Sequence, residues 1–248
     1  MLSTHTLFEW LVGLHIATGT VGLVVVWVPI AGKKGGDLHK RAGTLFVQSM
    51  IATGFTAVAI SLTTLSDPTG THPHLAQHEI FSDPQAITNI FGWMMLYLAT
   101  LTINLAWQGW LSLRSARNHR LNRAWHNLLS QALLTAASTN CFTRGVIAGE
   151  PMMIGTSMVG FATVATNLWF IYKPEPLPTD RIKEHIKCLL GAGISVYTAF
   201  FAFGAVRLLP ELALQPGLWA VPLVVGLALI IYHQRVVTRP ARRKLGLA

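Results

Sequence analysis

"KKGGDLHKRAGTLFVQSM" (Lys33–Met50) passes in a few residues from a charged, glycine-bearing turn into an apolar run. The run continues without an ionisable residue to about residue 65. A helix of that length crosses a hydrocarbon core of about 30 Å at about 1.5 Å per residue. A buried helix of a soluble domain would instead carry a charged face. The same pattern recurs along the chain. Apolar stretches fall at about 7–31, 42–65, 86–112, 126–148, 152–172, 188–209 and 217–234.

Composition agrees. Of 248 residues, 52% are hydrophobic and 12% are charged, about half the charge of a soluble domain. The first stretch lacks a basic leader region and an A-x-A site, so it reads as a retained span. The expectation is an all-α polytopic membrane protein, a single domain over residues 1–248 with seven transmembrane helices.

The connections alternate in charge. Lys33, Lys34, Lys40 and Arg41 follow the first span, Arg114, Arg117, Arg120 and Arg123 the third, and Lys173, Arg181, Lys183 and Lys187 the fifth. With Arg235, Arg239, Arg242, Arg243 and Lys244 in the tail, 17 of the 19 basic residues lie on one side. The other side carries Glu9, Asp67, Glu79, Asp83, Glu150 and Glu211. The positive-inside rule places the N-terminus outside and the C-terminus inside. A bacterial inner (cytoplasmic) membrane is the expected location, with the lipid bilayer as main partner. The net charge of +9 is then a topological signal and no sign of nucleic-acid binding. Trp10, Trp27, Trp110, Trp125 and Trp219 lie near span ends, as aromatic-belt residues do. Cys141 and Cys188 fall at different depths, which argues against a disulfide.

Polar residues inside spans face the bundle, because lipid leaves them unsatisfied. His15, Thr18, Gly19 and Gly22 share one face of the first span. Tyr97, Asn104 and Gln108 mark the third, His126, Ser130, Cys141 and Arg144 the fourth, Thr163 and Asn167 the fifth. His126 and Arg144 are 18 residues apart, five turns and roughly 27 Å along one face. Arg144 reads as snorkelling, as a partner of Glu150, or as an anion contact.

Histidines are the candidate ligands. His39 and His126 each open a span on the basic side, and each has a small residue four positions on, Gly43 and Ser130; His15 has Gly19. That spacing leaves room beside an imidazole, for a porphyrin or for a close helix crossing. Arg41 and Arg123 flank the pair and suit haem propionates or lipid phosphates. In the outer loop, "HPHLAQHE" offers His72, His74, His78 and Glu79, a donor set for Zn or Cu or a solvated loop. His15 is a further candidate for that metal.

"LHIATG" and "KGGDLHKRAGTLFVQSM" carry a resemblance. His15, Gly19, Lys34, Gly35, His39, Gly43 and Met50 match H-x-x-x-G followed by K-G-x-x-x-H-[KR]-x-x-G. The chain thus resembles a family of uncharacterised bacterial membrane proteins grouped as a domain of unknown function. The likeness covers about the first half and implies no activity. A looser likeness is to transmembrane b-type cytochromes, which hold bis-histidine haem between helices. It implies haem b on His39 and His126, with Arg144 as a propionate or anion partner and His15 as an outer ligand or proton-linked group. A quinone or a redox protein would be the partner, and a homo-oligomer is compatible. Two other readings stand beside this redox one: a small-molecule or lipid-binding receptor or transporter with a polar intramembrane cavity, and an accessory subunit of a membrane complex.

Overall fold

The computed structural model describes residues 3–75, 82–201 and 216–244, all in helices and short connections. Helix α1 (Thr4–Val25) starts at Ser3, whose hydroxyl accepts the Thr6 amide at 3.2 Å. It runs almost straight into α2 (Trp27–Ala31). The break falls where Pro29 removes the amide that would bond the carbonyl of residue 25. Gly35, at φ +74°, makes the turn into α3 (Asp37–Ser66), which begins with an acid in its first turn, as the helix dipole favours.

Two short helices, α4 (Pro68–Thr71) and α5 (Pro84–Ile87), carry the connection after α3. Asp67 and Asp83 cap them by accepting backbone amides. A seven-residue π-helical segment, Thr88–Met94, then leads into α6 (Met95–Arg114). A short 3₁₀ turn, His119–Arg123, precedes α7 (Trp125–Ala148). Gly149, left-handed at φ +67°, ends α7, and the Glu150 amide reaches back to the Gly145 carbonyl at 2.8 Å. Pro151 opens α8 (Pro151–Tyr172) and Pro178 opens α9 (Pro178–Ala199). The last helix is α10 (Pro216–Lys244).

Helix α6 is the centre. It packs on α3, α7 and α9; α1 lies on α3, α8 on α7 and α10 on α9. Small residues allow the close crossings. A Cβ on Gly54 of α3 would overlap Ile103, and one on Gly109 of α6 would stand 3.0 Å from the Cys188 Cβ of α9. Phe46, Met50, Met94, Tyr97, Leu134 and Met153 fill the core, while Trp10, Trp125 and Trp169 point outward. Cys141 and Cys188 are both free and buried.

Five helical stretches among the described residues are long and apolar enough to cross a membrane: Thr4–Ala31, Asp37–Ser66, Pro84–Arg114, Pro151–Tyr172 and Ala220–Thr238. Helices α7 and α9 are comparably long but fall outside that set. Helix α7 carries Asn127, Gln131, Ser138 and Asn140, and α9 starts ten residues before the apolar stretch at 188 and so includes its charged approach. Polar side chains of these two helices converge with α6 and α8 on one site.

Candidate functional site

The first turns of α9 set the geometry. Glu184, Lys187 and Cys188 share one helical face, turned toward α6 and α8. Lys187 spends all three ammonium protons there. Nζ lies 2.8 Å from Glu184 Oε2, 2.9 Å from Asn167 Oδ1 and 3.0 Å from Thr166 Oγ1. Glu184 is 6% exposed. Its Oε1 accepts from Gln108 Nε2 at 3.4 Å and from the Cys188 thiol at 3.7 Å.

Two chains of amides run inward from this ion pair. From Lys187, Asn167 passes on its Nδ2 protons to Asn104 Oδ1 at 2.9 Å and Gln131 Oε1 at 3.2 Å. Asn104 in turn donates to Ser130 at 3.0 Å. From Glu184, Gln108 leads to Asn127, whose Nδ2 donates to Gln108 Oε1 at 3.1 Å and to the Asn122 carbonyl at 2.7 Å. Both chains end on α7, one turn apart, in atoms without a hydrogen-bond partner: Asn127 Oδ1 and Gln131 Nε2. These residues are 0% and 2% exposed. An unpaired buried amide group costs about 1–3 kcal/mol, so an acceptor and a donor left open at the ends of both chains call for an explanation.

In front of the ion pair a cleft of about 190 Å³ opens between α8, α9 and α10. Lys173, Lys183 and Lys187 line it against Asp180 and Glu184. Lys173 and Asp180 bridge α8 to α9 at 2.6 Å. The cleft therefore carries one net positive charge and has Glu184 and Lys187 on its wall.

The histidines and arginines singled out in the sequence go elsewhere. His15 donates Nδ1–H to the Thr53 carbonyl at 3.1 Å and faces Thr56, at the α1–α3 crossing. His39 donates Nδ1–H to the Pro29 carbonyl at 3.1 Å. His126 is exposed and lies edge-on between Trp107 and Trp125, at 5.7 and 5.9 Å. Helix α6 packs against both α3 and α7, and His39 and His126 share no partner among the described residues. His185 of α9 donates its Nδ1–H to the Gly109 carbonyl at 2.9 Å.

Arg144 binds Asn140 Oδ1 at 3.1 Å and Asn89 Oδ1 at 3.4 Å, and stacks 4.4 Å over Trp93. No ion pair joins it to Glu150 among the described residues. Arg123 caps α8, with Nε 3.2 Å from the Ile171 carbonyl and Nη2 3.4 Å from that of Tyr172. Arg41 lies on an exposed groove of α3 with Lys40, Thr44, Leu45 and Gln48.

In the outer connection, His72 is buried between Phe8 and Phe91, with ring centroids at 5.0 and 4.7 Å, and its Nδ1 meets the Thr71 hydroxyl at 3.0 Å. Burial, with His74 adding to it, pushes the His72 pKa down to about 4. His78 and Glu79 lie outside the described residues. Among the described residues no group of three or more His, Cys, Asp or Glu could hold a metal ion.

The chain gives no match to a family model, a curated protein or a solved structure.

Proposed function

We propose that the protein is a membrane-embedded receptor or carrier that binds a small polar solute at the Lys187–Glu184 cleft. Seven spans complete the reading, with α7 and α9 as the two polar ones. The basic connections face the inside of a bacterial cytoplasmic membrane, so the cleft opens on that side. The observation that carries the reading is the pair of amide chains leading from a cleft-wall ion pair to two orphaned atoms on α7. Burying this many polar groups in an apolar bundle is costly, and such groups in membrane helices serve a pathway or a ligand. A screen of solutes by charge class for thermal stabilisation of the natively purified protein tests it. At least one class raises the unfolding temperature in a saturable way; a flat response across all classes rejects the reading.

A second reading keeps the haem with His185 in place of His126. It rests on the Nδ1–H bonds of both His39 and His185 to backbone carbonyls. Such bonds fix the tautomer and leave Nε2 free to ligate. Oxidised and reduced absorption spectra of the same sample decide it: a Soret band that shifts on reduction supports the haem, and a flat visible spectrum removes it.

A further inference from the structure

Resting on the solute-binding reading, we infer that the cleft takes a small oxyanion together with one proton, and that Glu184 is the proton's acceptor. The charge around the cleft selects the solute. Three lysines face two carboxylates, and Lys183 is the cation left over once Lys173 has paired with Asp180 and Lys187 with Glu184. An anion is drawn to this mouth and a cation is repelled.

The inner ion pair supplies the coupling. Lys187 has no spare proton, because Glu184, Asn167 and Thr166 take all three. An oxyanion drawn in past Lys183 to the Lys187 ammonium takes the place of one of these acceptors, in this proposal the Glu184 oxygen. That would leave two anions around one cation, on a carboxylate that is 6% exposed and otherwise supported only by the long Gln108 contact and a thiol. Two carboxylates sharing one site do not both stay ionised. Glu184 Oε2 therefore takes a proton from the buffered solution as its contact with Lys187 breaks. The charge balance is conserved: one anion and one proton enter, and the ammonium keeps its charge. The new carboxylic O–H then donates to the bound oxyanion, a short charge-assisted bond.

Few other titratable groups bear on Glu184. Lys187 and Cys188 face it from α9, and Lys183, Lys173 and Asp180 stand at the mouth. Among the described residues α6 brings the Gln108 amide, with Asn127 of α7 behind it, and α10 brings Gln234 to the cleft.

Acetate and inorganic phosphate serve as soluble probes, and nanodiscs with and without phosphatidylglycerol test a lipid headgroup as the source of the oxyanion. Calorimetric titration of the intact protein in buffers of different ionisation heat gives the proton count. The expected result is uptake of about one proton per anion bound, with affinity falling about tenfold per pH unit above neutrality. In Glu184→Gln, a neutral donor replaces the acid, so acetate, which does not itself titrate near neutrality, binds with no proton uptake and no pH dependence. The same uptake seen only with phosphatidylglycerol identifies the oxyanion as a headgroup. Binding by the wild type without proton uptake overturns the coupling and leaves the solute-binding reading standing. Where no probe binds either the wild type or Glu184→Gln, the coupling is overturned; the solute-binding reading falls separately if its own screen of all charge classes is flat. The wild-type pH series decides the matter even if Glu184→Gln does not fold.

Discussion

Asn167 Oδ1 accepts from Lys187 Nζ at 2.9 Å, and this contact ties the middle of the polar network on α8 to the ion pair on α9. One amide thereby links a cleft-wall charge to Asn104 and Gln131 behind it. Its partners come from α6, α7 and α9, the last supplying both Lys187 and the Cys188 thiol.

Replacing Lys187 by Met leaves Glu184 buried beside Gln108 and a thiol. Removing one member of a buried pair costs about 3–5 kcal/mol. Thermal unfolding in mild detergent should show Lys187→Met well below wild type. The double variant Lys187→Met with Glu184→Leu should regain most of the loss, because no charge is then stranded.

Asn167→Leu removes a donor to two amides and an acceptor to Lys187. Each stranded group costs about 1–3 kcal/mol. The expected loss is at least about 2 kcal/mol in denaturant unfolding, larger than for Asn140→Leu, which takes one partner from the half-buried Arg144.

Arg123→Ala should cost about 1 kcal/mol through the two carbonyls it caps at the end of α8. Local hydrogen exchange at Ile171 and Tyr172 should rise while α3 amides stay protected. A uniform rise across the bundle would mean that the cap is not its role.

His72 makes stability acid-sensitive. Its pKa lies at about 4 in the fold against an ordinary 6.5, so between these values the unfolded chain holds a proton that the folded chain does not. The contribution is complete above pH 6.5 and is lost as pH falls toward 4. His72→Phe keeps the ring between Phe8 and Phe91, and its unfolding temperature should fall less than that of wild type between pH 7 and pH 4.5.

The helical architecture was legible because lipid-length apolar runs admit little else, and the basic turns at Lys33, Arg114 and Lys173 fall between the long helices. The site was harder to read. Depth along a helix follows from residue number, but direction around the bundle depends on neighbours. His39 and His126 lie at matching depths and still meet different partners, Pro29 in one case and two tryptophans in the other. Asn104, Gln108 and Asn167 stood out as polar groups in apolar runs. Lys187 reads as part of the basic connection, because the apolar stretch starts at Cys188 while the helix starts at Pro178. The signal for the pair was Glu184, an acid on the basic side three residues before a lysine and next to an apolar run. Gln131 needed the packing of α7 on α8 to join Asn167.

The most direct measurement is a thermal-shift titration with acetate and phosphate on wild type and Lys187→Gln side by side. Saturating solute stabilises by about 2.7 kcal/mol at a hundredfold excess over Kd. The unfolding temperature should therefore climb by several degrees for the wild type, with no shift for Lys187→Gln. Equal stabilisation of both proteins would contradict binding at the Lys187–Glu184 cleft, and stabilisation of neither would contradict an oxyanion as its solute.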